Sequence, residues 1–241
     1  MDEVNDSLDR IAAATDRLLA AASTLTDAQA REPSALPGWT RGHVLTHIAR
    51  NADGLGNLLR WAQTGTQIPM YASAEAREAD IEAGAGRPAA ALTADVRASA
   101  IAFAAEAATL SGDAWTVSVR ALNGPPFPAF GVLDRRLVEV EIHHVDLAAG
   151  YSPDDWPADF VAQTLPRVAG SFAGRLDAPA CQVQAAGSAT LFLIGPEQDE
   201  PPQVVIHGPP GELLGWLTGR GNGDGLTVVS GDALPELPPM G

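Results

Sequence analysis

Apolar residues recur at helical intervals through the first 150 residues and in short strand-like runs after residue 178, so the period itself divides the chain. Leu8, Ile11, Ala12, Leu18, Leu19 and Ala22 mark one face of an amphipathic helix from about Val4 to Leu25. Pro33 and Leu36-Pro37-Gly38-Trp39 interrupt the pattern, and Thr40 stands where an N-cap would accept the first free amides of a second helix, Arg41 to about Gln63. That helix carries Val44, Leu45, Ile48, Leu55, Leu58, Leu59 and Trp61, enough apolar surface for a principal element of a bundle. Gly65 to Tyr71 reads as a loop, Ser73 caps a short helix over Ala74 to Glu82, and an alanine-rich third long helix runs from Ala89 to Leu110. Thr116 to Leu122 alternates weakly, as a short extended piece would, and Asn123-Gly124-Pro125-Pro126 reads as a turn. The fourth long helix runs from about Gly131 to Ala149.

The composition changes after Gly150. Tyr151 to Pro157 is a proline-rich, acidic linker, and Ala158 to Leu176 is expected to be helical, with Pro166 inside it as a kink. Strand-like runs follow at Cys181 to Gln184, Ala189 to Ile194, Gln203 to His207 and Leu226 to Val229, with a short helix at Gly211 to Thr218. The fold expected is α+β: a four-helix bundle over residues 1–150, then a smaller α/β domain over residues 151–241.

Charge narrows the partners. There are 15 basic and 30 acidic residues, a formal net charge of −15, which argues against nucleic acid or an anionic membrane surface. Every basic residue is Arg, so no Schiff-base lysine and no phosphate-loop lysine exists. Cys181 is the sole cysteine, which precludes an intramolecular disulfide. The acidic N-terminus is unlike a signal peptide, and no run of about 18 apolar residues occurs. A soluble cytoplasmic protein is the expectation.

The candidate chemistry lies in the fourth long helix. Leu133, Leu137, Val140 and Leu147 form an apolar stripe, while Arg136, Glu139, His143 and Asp146 form a wholly polar one beside it. A solvated face explains charges alone, but Glu139 and His143 at i and i+4 can also point at one metal ion or one substrate atom. Glu141 and His144, at i and i+3, are a rival pair that spacing does not eliminate. A third ligand would come from the second helix, which offers His43 and His47; His47 shares the angular sector of Val44 and Leu55 and so should face the core. Two imidazoles and one carboxylate leave an open position, as catalytic rather than structural zinc sites do.

Several stretches carry a resemblance. Gly38-Trp39-Thr40-Arg41-Gly42-His43-Val44-Leu45-Thr46-His47, Asn57 to Gly65, Pro69 to Arg77, and Glu139-Val140-Glu141-Ile142-His143-His144-Val145-Asp146-Leu147 are similar to the mycothiol-dependent maleylpyruvate isomerase family. The resemblance implies a bundle of the DinB type that binds zinc through a histidine of the second helix and a Glu-x3-His pair of the last. Carried over by motif, the ligands are His47, Glu139 and His143, with Glu141 and His144 left to packing or support. More weakly, Leu217 to Gly225 resembles the family's Gly-Arg-Gly turn, which implies an active-site role for Arg220 in a cleft to which the C-terminal domain contributes.

The activity so implied is cis-trans isomerisation of maleylpyruvate to fumarylpyruvate in gentisate degradation, with mycothiol as the thiol cofactor. Zinc or another divalent metal would hold the thiol as thiolate, so the chain needs no cysteine of its own. Arg220 would clamp a carboxylate of the dianionic substrate. The rivals are a mycothiol S-transferase for another electrophile, a zinc-dependent hydrolase, and a non-catalytic metal-dependent ligand carrier. All four take a small molecule, and the first two also a low-molecular-weight thiol.

Overall fold

The computed structural model describes residues 2–122, 124–200, 202–231 and 233–239; Asn123, in the expected turn, lies outside them. The chain divides into two compact units, Met1–Gly150 and Tyr151–Gly241.

In order, the first unit contains α1 (Asp2–Ala22), α2 (Asp27–Ala30), α3 (Arg41–Thr64), α4 (Ala74–Ala85), α5 (Ala89–Thr109), β1 (Ser118–Val119), β2 (Phe127–Pro128) and α6 (Gly131–Asp146). The four long helices form the bundle. α3 lies at its centre, packed against α4, α5 and α6, while α1 covers α5 and α6. Leu45, Ile48, Leu55, Leu58 and Leu59 of α3 are buried together with Leu18, Leu92, Val96, Phe103, Leu133 and Val140. Burial of each such side chain contributes roughly 1.5–3 kcal/mol.

Local chemistry sets where these helices begin and end. The Thr40 hydroxyl accepts from the His43 amide, and His43 Nδ1 accepts in return from the Thr40 amide at 3.1 Å, so two otherwise unpaired N–H groups are satisfied. Ser73 caps α4 through the Ala76 amide at 3.1 Å, and Gly65, at φ 69°, closes α3. A Cβ at Gly42 would lie 2.1 Å from the Ala85 carbonyl oxygen, so only glycine lets the first turn of α3 meet the end of α4.

Several expected boundaries shift. The extended piece at Thr116 to Leu122 shrinks to β1, because a 3₁₀ turn over Gly112–Thr116 buries Trp115 against Phe130 at a ring distance of 6.3 Å. α6 stops at Asp146, short of Ala149, because Ala148 turns left-handed at φ 51°. Arg41 then caps the exposed end, donating from Nε to Leu147 O (3.0 Å) and from Nη2 to Ala148 O (3.1 Å).

The second unit opens with a 3₁₀ turn at Pro153–Asp155 and continues through α7 (Ala158–Ser171), β3 (Cys181–Ala185), β4 (Leu191–Ile194), β5 (Val205–Gly208), α8 (Pro210–Thr218) and β6 (Thr227–Ser230). α7 ends before Leu176 because the chain turns to pair with the end of β4: Gly195 N donates to Phe172 O at 3.0 Å and Gly174 N to Gly195 O at 2.8 Å. The sheet order is β4-β3-β5-β6, with β3 and β5 parallel (Val183 opposite Ile206) and both outer pairs antiparallel. α7 packs on α8 and β4, and α8 on β3 and β5. Phe160, Phe172, Cys181, Val183, Ile206, Leu213 and Leu214 are buried in this unit. The fold is thus α+β, a helical bundle followed by a smaller α/β part with a mixed four-stranded sheet. Among the described residues no helix is long and apolar enough to cross a membrane.

Candidate metal centre

Arg41 ties the start of α3 to the end of α6, and this contact fixes which turns of the two helices face each other. His47, a turn and a half into α3, meets Glu139 and His143, one turn apart on α6. His47 Nε2 lies 3.0 Å from Glu139 Oε2 and 3.0 Å from His143 Nε2, and His143 Nε2 lies 3.3 Å from the same Glu139 oxygen. Ligands about 2.0–2.1 Å from a tetrahedral ion are spaced at roughly 3.3 Å, so the donor triangle has the dimensions that a divalent metal needs. Two nitrogens and one carboxylate oxygen suit zinc and its first-row neighbours. His47, Glu139 and His143 are thus a group that could hold a metal ion.

The surroundings orient the donors. His143 Nδ1 donates to Asp146 Oδ2 at 2.8 Å, which leaves its Nε2 lone pair directed at the cluster. Asp146 is buried, and its carbonyl accepts from the Ala35 amide at 2.9 Å, so the loop before α3 holds this end of α6. The Trp39 ring packs edge-on against His47 at 5.5 Å. On the polar stripe, Arg136 is fully buried and donates from Nη1 to Ile48 O (2.9 Å) and Asn51 Oδ1 (3.0 Å) of α3. Solvation therefore does not explain the stripe, which faces α3.

Ionisation follows from burial and contact. Burial, then the neighbouring His143, lower the His47 pKa and favour the neutral imidazole that a metal requires. Burial alone would raise the Glu139 carboxyl, but hydrogen bonds from His143 and His47 outweigh it and hold the group well below the usual carboxylate range. Burial alone would depress His143, but its bonds to Asp146 and Glu139 prevail and raise it. Exposure is graded across the cluster: the His47 side chain is 5% exposed, His143 17% and Glu139 30%, so the donors are reachable from the Glu139 side.

The rival donors are engaged elsewhere. His43 belongs to the α3 cap and lies 3.1 Å from Glu82. Glu141 accepts from Arg17 of α1 at 2.5 Å, and His144 is buried. Cys181 is buried in β3, and burial pushes its thiol up to about 11. Arg220 follows α8, where its Nη1 donates to Thr218 O at 2.5 Å beside Gly219 at φ 72°. Asp146 and Arg77 had no assigned role in the sequence. Asp146 had a signal, its i+3 spacing from His143, whereas Arg77, whose Nη2 lies 3.1 Å from His47 Nδ1, had none.

Comparison with known proteins bears on the same residues. Residues 11–148 match the family model described as the mycothiol maleylpyruvate isomerase N-terminal domain, and residues 155–239 match the corresponding C-terminal domain. A crystal structure of the mycothiol-dependent maleylpyruvate isomerase superposes with a TM-score of 0.87 at 32% identity, covering 98% of this chain and 96% of that one. A histidine-to-alanine mutant of that isomerase gives 0.89 at 31% identity with the same coverage. No curated protein matches. With both family domains present in order and the fold shared over nearly its whole length, the chain belongs to the mycothiol maleylpyruvate isomerase family.

Proposed function

We propose that this protein is a mycothiol-dependent isomerase that converts maleylpyruvate to fumarylpyruvate, working in the cytoplasm with zinc or another divalent metal at His47, Glu139 and His143. The observation that carries the reading is the donor triangle of 3.0, 3.0 and 3.3 Å, open on the Glu139 side, in a chain of this family. A divalent ion there supplies the positive charge that keeps a thiol ionised at neutral pH, the form that adds to an electron-poor double bond, lets it rotate and leaves again.

The chain's own residues prepare that chemistry. Glu139 contributes a single negative charge and the two imidazoles none, so a site loaded with a divalent ion stays net positive. Asp146 fixes the His143 tautomer, and Arg136 anchors α6 to α3 one turn before Glu139. Arg220 is proposed to hold a substrate carboxylate through its planar fork, with the C-terminal unit contributing to the cleft.

The test is turnover of maleylpyruvate by the purified, metal-loaded protein with and without mycothiol. Thiol-dependent formation of fumarylpyruvate is expected. Turnover without thiol would move the assignment to a hydrolase, and inertness toward maleylpyruvate with thiol-dependent consumption of other electrophiles would make it an S-transferase. Ligand binding with no turnover of any kind would leave a carrier.

A further inference from the structure

A second cation stands beside the donor cluster. Arg77 lies in the first turn of α4, with its Nη2 3.1 Å from His47 Nδ1 and its guanidinium carbon 5.9 Å from the centre of the Tyr71 ring. Arg136, on the polar stripe of α6, is fully buried and bound to α3, so it cannot reach a ligand without breaking the helix contact. Arg77 differs in both respects. Its side chain is 23% exposed, and its carboxylate partner is the adjacent Glu78, which is 60% exposed. Such a surface pair is weak, so a well-placed anion would displace it.

Hydrogen-bond chemistry at His47 points the same way. The Arg77 guanidinium can only donate: Nη2 reaches His47 Nδ1 at 3.1 Å and Nη1 reaches the Glu78 carboxylate, and its five N–H groups outnumber these two contacts. Tyr71 adds another donor. Its pKa is raised by burial and then by the charge of Glu139, so its hydroxyl keeps its proton at neutral pH. In a chain of net charge −15, such local donors and cations decide where an anion settles.

We propose that Arg77, with the Tyr71 hydroxyl beside it, binds a carboxylate of an anionic substrate held at the His47–Glu139–His143 cluster. The ligand class is a dicarboxylate, which rests on the isomerase reading above, and Arg77 is a substrate-binding residue of the bundle itself.

Arg77→Met and Arg77→Lys test this against the unmodified, metal-loaded protein. Two measurements are made: steady-state turnover of maleylpyruvate with mycothiol, and calorimetric titration with glutarate, a dicarboxylate with no double bond, in the absence of thiol. Charge-assisted hydrogen bonds of about 1.5–3 kcal/mol correspond to a rise in KM and a fall in glutarate affinity of about ten- to hundredfold in Arg77→Met. Metal content and melting temperature should not change, kcat should change less than KM, and Arg77→Lys should recover part of the loss. Unchanged KM and glutarate affinity overturn the assignment. So does loss of metal in Arg77→Met, which would make Arg77 a support for His47. Failure of the isomerase reading looks different, since maleylpyruvate would not turn over while glutarate binding still depended on Arg77. Protein that handles neither compound refutes both.

Discussion

In the bundle, His47, Asn51, Arg136, Glu141, His144 and Asp146 are all buried, whereas in the second unit the buried polar side chains among the described residues are Thr164 and Thr218. The bonds differ in reach as well as in number. Several of those in the bundle run between helices: His47 to Glu139, Arg136 to Asn51, and Arg17 to Glu141. Thr218 bonds to the carbonyls of Leu214 and Gly215 in its own helix. Polar burial between elements has to be satisfied by geometry, so it fixes how helices register and costs stability when a partner is lost. The second unit is instead held by apolar contact, and its cavity of about 710 Å³ is lined by Trp156, Val161, Leu165 and Phe192 among others. The candidate metal donors all lie in the first unit.

The largest effect should come from the cluster itself. His47→Ala, Glu139→Ala and His143→Ala should each lose the bound divalent metal, read by elemental analysis of purified protein. Full metal in all three variants would erase the contrast between the units.

Next in size is a core truncation on the other side. Phe172 is fully buried, so Phe172→Ala should destabilise the protein by about 3–5 kcal/mol in chemical denaturation. Metal content under native conditions should be retained, because the donors all lie in the first unit.

A smaller pair sharpens the comparison of polar burial. Asn51→Ala removes an acceptor from the buried Arg136 guanidinium and should cost about 1–3 kcal/mol. Thr218→Val removes only a bond within one helix and should cost about 0.5–1.5 kcal/mol. Equal losses in denaturant midpoints would mean that reach between elements does not matter here.

The smallest effect concerns Cys181. With its thiol pushed up to about 11, thiolate is scarce at pH 8, so alkylation should be slow in the native protein and fast in denaturant. Cys181→Ala should leave turnover unchanged. Loss of turnover would place a reactive group in the second unit.

Much of this was legible in the chain. The long helices announced themselves by period, and Thr40 and Ser73 marked two helix starts by capping chemistry. The pairs Glu139/His143 and Glu141/His144 were not separable by spacing, because Arg136 and Asp146 of the polar stripe are buried like the apolar one and hydropathy does not reveal which helix the stripe meets. Two residues of offset turn a helix by about 200°, which sends Glu141 toward α1 and Glu139 toward α3. His43, the other histidine at the start of α3, closes the cap of that helix with its ring, a role more often taken by Glu or Gln. Arg77 is 30 positions from His47 in sequence, and no local pattern announces a contact made by the packing of α4 on α3.

His47 and Glu139 are separated by 92 positions, whereas Glu139 and His143 share a helix turn. An ion held by all three would act as a removable staple, restricting the unfolded chain much as a covalent cross-link over a long loop does. Its strength would follow the free ion, adding about 2.7 kcal/mol at a hundredfold excess over Kd. Chelation would then shorten the protein's survival against proteolysis as well as silence it, and metal supply would govern how much of it a cell keeps.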